Sequence, residues 1–353
     1  VAAVFPFVLS NIMEENGSII GQSQGYPVIV DFFKRNKERV NSNMVIMGKS
    51  GSGKSYATKT ILSHLSAENC KIFILDPEDE YSTLAKNVGG KVIDVGTAIQ
   101  GRINPFHVIT TLESDEEGIV NDFSVHLQFL EQFFHEILPG IDPQALEYLN
   151  NLIVDLYASK NINSKTDFSK LKAKDYPIFD DLYDLINTRL SKAKVDYDVN
   201  NLRILLNFVS KFSHEGRDSN LWNGESKLTV KENFTVFNFQ SLLANKNGVI
   251  ANAQMLLVLK WLDNEIIKNR EFNIKYGTKR KIVVAIDEAH VFIDPKFPVA
   301  LDFMYQLAKR IRKYNGMQIV ITQNIKDFVG TADIIRKSTA IINACQYSFI
   351  FSL

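Results

Sequence analysis

Gly48-Lys49-Ser50-Gly51-Ser52-Gly53-Lys54-Ser55 decides the fold. The stretch fits G-x-x-x-x-G-K-[ST], the loop that cradles phosphates. Met44–Met47 before it is an unbroken apolar run, and Lys54–Leu65 after it reads as an amphipathic helix. Each position has a mechanical reason. Gly48, Gly51 and Gly53 allow close backbone approach and positive φ. The N–H groups of Lys49, Ser50, Ser52 and their neighbours then curl around a β-phosphate, aided by the positive end of the helix. Lys54 reaches the β- and γ-phosphates, and the Ser55 hydroxyl takes Mg²⁺. At ordinary residue frequencies, a chance match in such a chain is on the order of one in a hundred. The expected ligands are therefore ATP and Mg²⁺.

Working outward, six more apolar runs rich in β-branched and aromatic residues predict strands. They are Lys71–Leu75, Val92–Val95, Thr235–Phe239, Ile282–Ile286, Gln318–Thr322 and Phe349–Phe351. Several are apolar at nearly every position, which suits strands covered on both faces of a parallel sheet. Helical periodicity marks Ile250–Lys268 and Val299–Tyr314. Alternating strands and helices predict an α/β fold.

A second acidic element completes the expected site. Ile282-Val283-Val284-Ala285-Ile286 runs into Asp287-Glu288, which places two carboxylates at a strand's C-terminal tip. Open α/β sheets bind ligands at that edge. Asp287 is expected to hold Mg²⁺ through water, and Glu288 to orient or deprotonate the attacking water. A glutamate there favours hydrolysis over kinase or switch chemistry, and no N-K-x-D base-reading signal is present. Gln323 ends the run 318–322 and is expected to sense the γ-phosphate. Lys309-Arg310-Ile311-Arg312-Lys313 closes the preceding helix. Arg310 and Arg312 are candidates for an arginine finger reaching a neighbouring subunit's ATP. Two residues apart on a helix, they point about 200° apart, so they cannot share one phosphate.

The middle of the chain is different. From Asp122 to about Phe212 the apolar stripes are helical: Phe123, Leu127, Leu130, Phe133, Phe134 and Ile137; then Leu146, Leu149, Leu152, Ile153 and Leu156; then Phe179, Leu182, Leu185, Ile186 and Leu190. The expected organisation is residues 1–107 and 221–353 as two parts of one ATPase domain, with 108–220 as an all-helical insertion. No Lys or Arg occurs between Arg102 and Lys160, while ten acids do. That acidity suits a solvated surface or a face for a basic protein, and it repels a phosphate backbone.

Overall composition excludes other classes. The 353 residues balance 40 basic against 40 acidic side chains, so no global charge advertises nucleic acid. Two cysteines, Cys70 and Cys345, exclude a disulfide framework and fit a reducing cytosol. No run reaches the 18 or more apolar residues of a membrane span, and Val1–Met13 is broken by Pro6, Ser10 and Asn11. A chain that starts at Val1 and stops just after a strand reads as a piece of a longer protein.

Five motifs occur in a telling order: Asn41-Ser42-Asn43-Met44-Val45-Ile46-Met47 before the loop, Ile-Leu-Asp-Pro-Glu-Asp-Glu-Tyr at 74–81, Arg-Ile-Asn-Pro-Phe at 102–106, Ile-Asp-Glu-Ala-His at 286–290 and Ile-Thr-Gln at 321–323. Together they resemble the conjugation ATPases of bacterial type IV secretion systems, in the HerA/FtsK branch of P-loop motors. More narrowly, they resemble the C-terminal motor domain of the large conserved secretion ATPase. The resemblance implies a RecA-like P-loop NTPase with an inserted helical subdomain, often hexameric. It also implies a location at the cytoplasmic face of the inner membrane, other secretion components as partners, and ATP hydrolysis that drives pilus assembly or substrate transfer. The family's N-terminal domain and C-terminal helices would lie outside this chain. Asp76 and Glu80 follow the second strand near the expected site; His290 resembles the histidine of D-E-A-H helicases and could couple the site to Gln323. Asn104 and Pro105 read as a turn. The competing function is a DNA translocase or coupling pump of the same branch, for which the basic stretch 309–313 supplies local charge. A D-E-A-H helicase would need a second tandem domain and a late Q-x-x-G-R-x-G-R motif, and neither is found.

Overall fold

The computed structural model describes residues 12–96, 101–109, 122–244, 248–323 and 331–352. The opening segment up to residue 11 and the acids at 113–117 lie outside these residues.

A hairpin comes first: β1 (Ser18–Ser23) pairs antiparallel with β2 (Tyr26–Val30). Sequence patterning did not single it out. Its turn, Gln24-Gly25, has φ of 52° and 82°, the left-handed pair that a tight hairpin needs, and Gln-Gly is a weaker signal than Asn-Gly. The α/β core then runs β3 (Met44–Met47), α1 (Lys54–Ala67), β4 (Lys71–Asp76), α2 (Ser82–Asn87) and β5 (Lys91–Asp94). A helical stretch follows: α3 (Asp122–Ile137), α4 (Pro143–Ser159), α5 (Phe179–Lys192), α6 (Asp196–Val209) and the short α7 (Ser219–Trp222). The core resumes with β6 (Phe234–Asn238), α8 (Gln240–Ala244), α9 (Gly248–Tyr276), β7 (Ile282–Ile286), α10 (Ala289–Ile293), α11 (Pro298–Arg310), β8 (Gly316–Thr322), α12 (Ala332–Asn343) and β9 (Tyr347–Ile350).

Strands β3 to β9 form one sheet in the order β5-β6-β4-β7-β8-β3-β9, every pairing parallel. The fold is α/β, as the patterning predicts. β4 shows why its sequence does not alternate: Phe73 and Leu75 enter the core on one face, and Ile72 and Ile74 the core on the other. Burying such a side chain on either face contributes about 1.5–3 kcal/mol. α1 and α2 cover one face with the strand β2 residue Val30, while α9, α11 and the helices between β5 and β6 cover the other.

Two boundaries differ from the periodicity. α9 continues past Lys268 to Tyr276 and stops at Gly277, whose φ of 63° makes it a C-terminal cap. The helix expected to reach Tyr314 ends at Arg310 and tightens into a 3₁₀ turn over Ile311–Tyr314, closed by left-handed Asn315. The chain must reverse there to start β8 at Gly316, and a tighter last turn does this.

The helical stretch is tied to the sheet by polar groups in the core. Lys260 of α9 donates to His126 Nδ1 at 2.8 Å, His126 Nε2 lies 2.8 Å from the Tyr157 hydroxyl, and that hydroxyl donates to the Phe106 carbonyl at 2.6 Å. Burial pushes the Lys260 ammonium well below its usual range and keeps His126 neutral well into acid. Asn104 joins the same junction: it accepts from Phe106 N at 3.1 Å and donates to the Pro177 carbonyl at 2.8 Å. The turn read at 104–105 is thus a structural anchor.

Candidate nucleotide site

The loop between β3 and α1 is shaped by its glycines. Gly51 and Gly53 sit at φ of 77° and 94°. A Cβ at Gly48 would lie 2.6 Å from both Phe351 Cβ and Ser52 Oγ, so no side chain fits there. Gly48 N donates to Thr322 O at 3.3 Å and Lys49 N to Ser352 O at 3.0 Å, which ties the loop to the ends of β8 and β9. Gly53 caps α1, and no side chain bonds to the helix's first N–H groups. A helix start left in this state offers N–H donors and a positive dipole end to an anion.

The sheet order brings the other residues to this loop. β8 lies between β3 and β7, so the acidic strand is one strand further away than direct adjacency to the loop would require. Gln323, just past β8, fills the gap. Its Nε2 donates to Glu288 Oε1 at 2.9 Å, and Lys54 Nζ donates to the same oxygen at 3.0 Å. Lys54 and Glu288 are each only 5% exposed. Glu288 reaches across through a left-handed backbone, φ 42° and ψ 56°. For a residue with a Cβ, such a conformation costs on the order of 1–3 kcal/mol, and residues held this way cluster at functional sites. Glu288 Oε2 lies 3.1 Å from His290 Nδ1. His290 and Gln323 thus both lie beside Glu288, but Oε2 makes no hydrogen bond among the described residues, so the expected coupling has proximity and no bonded path.

Asp287 is 2% exposed, and its backbone N donates to Leu75 O at 3.0 Å. Burial, then the charges of Glu288 and Glu80, push its carboxyl up to about 7, against the pull of Lys54. Its Oδ1 is buried without a hydrogen-bond partner among the described residues, as is Ser52 Oγ. A buried carboxylate oxygen left unpaired beside a phosphate-binding loop is what a cation would satisfy, so these residues fit Mg²⁺. Ser55, at the start of α1, is half-buried. Among the described residues, no three His, Cys, Asp or Glu side chains converge as an all-protein metal cage. Mg²⁺ does not need one, because it typically keeps several waters and binds one or two carboxylates together with substrate phosphates.

Asp76 acts locally. It is fully buried and accepts from Glu80 N at 3.1 Å and Tyr81 N at 2.9 Å, folding the turn ahead of α2. Sequence reasoning missed Tyr81, which is fully buried and whose ionisation is pushed well up by burial and by Asp287.

Arg310 and Arg312 are not brought to this cluster. α11 runs back across the sheet, so they lie at the opposite edge, where Asn315 O receives Ile282 N and Ala308 O receives Asn43 Nδ2. Arg310 is half-buried and Arg312 exposed.

Residues 18–352 match the TraG P-loop domain. The chain belongs to the TraG P-loop domain family. This member is 28% identical to the solved VirB4 of Thermoanaerobacter pseudethanolicus, covering 96% of this chain and 85% of that one with a TM-score of 0.78. It is similar to Protein TraC of Escherichia coli (strain K12), 24% identical over 332 residues, or 93% of this chain. It is also similar to an uncharacterized protein of Bacillus anthracis, 23% identical over 380 residues, or 99% of this chain. The TraG P-loop chain spans only 34% and 58% of the lengths of these two relatives. Membership makes this a P-loop NTPase of the type IV secretion and conjugation class. Among the described residues, no helix is long and apolar enough to cross a membrane.

Proposed function

We propose that the chain is the ATP-hydrolysing motor of a type IV secretion or conjugation machine. The observation that carries this reading is the carboxylate of Glu288, which shares one oxygen between Lys54 Nζ and Gln323 Nε2. A general base is thereby held against the loop lysine that meets the γ-phosphate, and a polar amide just past the intervening strand donates to the same carboxylate oxygen. In this reading Gly48 to Ser55 bind the phosphates. Lys54 offsets the charge that develops on them. Ser55 and Asp287 hold Mg²⁺, which when bound neutralises phosphate charge. Glu288 leaves Lys54 when the γ-phosphate takes over the ammonium, and then accepts a proton from the attacking water. Gln323 follows Glu288 and reports the change to β8.

The remaining parts of the reading are these. Residues 1–107 and 221–353 form the ATPase domain and 108–220 its helical insertion. The whole protein assembles as a hexamer, peripheral at the cytoplasmic face of the inner membrane, with other secretion components as partners. One of Arg310 and Arg312 serves a neighbour's ATP, a role that their position far from their own loop permits.

Glu288→Gln tests the central claim. The amide keeps the shape and a carbonyl acceptor for Lys54 but cannot take the water's proton. ATP should remain bound, by equilibrium dialysis, while turnover falls by roughly 10²-fold or more. Hydrolysis within a factor of a few of the parent chain would move the base to another residue.

A further inference from the structure

We propose that Glu80 is a positioning residue for the magnesium ion, its carboxylate holding a water of the hydrated ion beside Asp287 and Ser55; this rests on the nucleotide-site reading. Three placements converge on it. First, the Asp76 carboxylate folds the turn after β4 back on itself through Glu80 N and Tyr81 N. β4 lies next to β7, with Asp287 N on Leu75 O, so Glu80 and Asp287 rise from neighbouring strand ends. Second, Glu80 Oε2 lies 3.8 Å from Lys59 Nζ, and the same ammonium is 5.4 Å from the Tyr81 ring centroid. Lys59 follows Ser55 by four residues on α1, so the two share a helix face. Glu80 thus sits over the face that carries Ser55. Third, Glu80 Oε2 and Asp287 Oδ1 are both buried and make no hydrogen bond among the described residues, Glu80 Oε2 having only its longer ion pair to Lys59. Asp287 itself is 2% exposed.

Two carboxylates at neighbouring strand ends, neither oxygen hydrogen-bonded, repel each other. A hydrated cation between them removes the repulsion and supplies O–H donors to both. Glu80 is placed for a water-mediated contact rather than direct ligation, in keeping with the lack of a three-residue protein cage. Outer-shell partners of this kind typically carry 10–100-fold in metal affinity.

The test uses Mn²⁺ as the probe, with the 353-residue chain saturated with ADP and free Mn²⁺ read by electron paramagnetic resonance. Glu80→Gln should weaken Mn²⁺ binding about 10–100-fold and leave ADP affinity in EDTA unchanged, while Glu80→Asp recovers part of the loss. Mn²⁺ affinity of Glu80→Gln within twofold of the parent overturns the proposal. So does a matching loss of ADP affinity in EDTA, which marks a structural role. Glu80→Ser, read in the same way, replaces the amide if Glu80→Gln does not fold. If ADP does not tighten Mn²⁺ binding to the parent chain, the magnesium reading and this proposal fall together; normal Mn²⁺ binding by the parent with an unaffected Glu80→Gln sinks Glu80 alone.

Discussion

Asp287→Asn should stabilise the nucleotide-free, metal-free chain at high pH and do little at low pH. Asp287 is 2% exposed, and its carboxyl is pushed from 3.8 up to about 7 by burial, then by Glu288 and Glu80. The sign follows from proton binding. A carboxyl with a raised folded-state pKa holds its proton in the folded chain at pH values where the unfolded chain has lost it. Folding therefore loses stability as pH rises from about 4 to about 7, and the penalty is complete above that. Three pKa units at 1.36 kcal/mol each amount to about 4 kcal/mol. The neutral asparagine carries no such penalty, though its amide is as poorly partnered as the protonated acid. The assay is the melting-temperature difference between Asp287→Asn and the parent chain in EDTA, measured from pH 4 to 9. The difference should open between pH 4 and 7 and level off above. Glu288→Gln should narrow the window by removing the second-largest cause of the shift. A difference that stays constant across the range would refute the claim that Asp287 is buried with a high pKa.

Lys54→Ala should abolish hydrolysis and weaken nucleotide binding, because Lys54 is the loop ammonium that reaches Glu288 in the buried site; near-normal turnover of the purified variant would remove the loop assignment. Its loss also leaves Glu288 buried without its ammonium, so melting should fall as for a broken buried pair, about 3–5 kcal/mol. Mixing Lys54→Ala chains with an Arg310→Ala or Arg312→Ala variant, each inactive alone, should restore some turnover if one arginine acts in trans, where such a finger contributes roughly 10³-fold or more; mixtures that never recover would count against a shared site. Duplex DNA should bind weakly and lose affinity steeply between 50 and 200 mM salt, and salt-insensitive, sequence-specific binding in a titration would favour the translocase reading.

The core strands could be read from sequence because each carries its own signal. Buried on both faces, they show unbroken β-branched runs, and each boundary sits within two residues of a run's end. The loop could be read because its chemistry needs fixed residue types at fixed spacing, and φ of 77° and 94° at Gly51 and Gly53 admits little else. The hairpin β1–β2 was hidden because its signal is a two-residue turn with a weak composition, flanked by a largely exposed β1 and a mostly half-buried β2. The Lys260–His126–Tyr157 chain was hidden for a different reason. Its members are 134 and 31 residues apart, and only the packing of α3 against α9 and of α4 against α3 makes them neighbours.

The same distinction explains how far the site itself could be read. Lys54, Asp287 and Glu288 follow from local motifs, but the contact among Lys54, Glu288 and Gln323 does not. That contact exists because β8 is threaded between β3 and β7 and because Glu288 takes a left-handed backbone to look across it. The strand order therefore does mechanical work. With β8 between the phosphate loop and the acidic strand, no movement of Glu288 away from Lys54 can occur without disturbing the Gln323 amide. β8 continues on its N-terminal side into Asn315 and the turn that carries Arg312, at the far edge of the sheet. A single buried strand of seven residues, β8, thus joins Gln323, the proposed sensor of the γ-phosphate, to the edge bearing the candidate finger arginines. Strands packed on both sides move as rigid units rather than bending locally. On the proposed reading, a shift at Gln323 would pass along β8 toward Arg312, a short route from hydrolysis in one subunit to the surface that would meet the next.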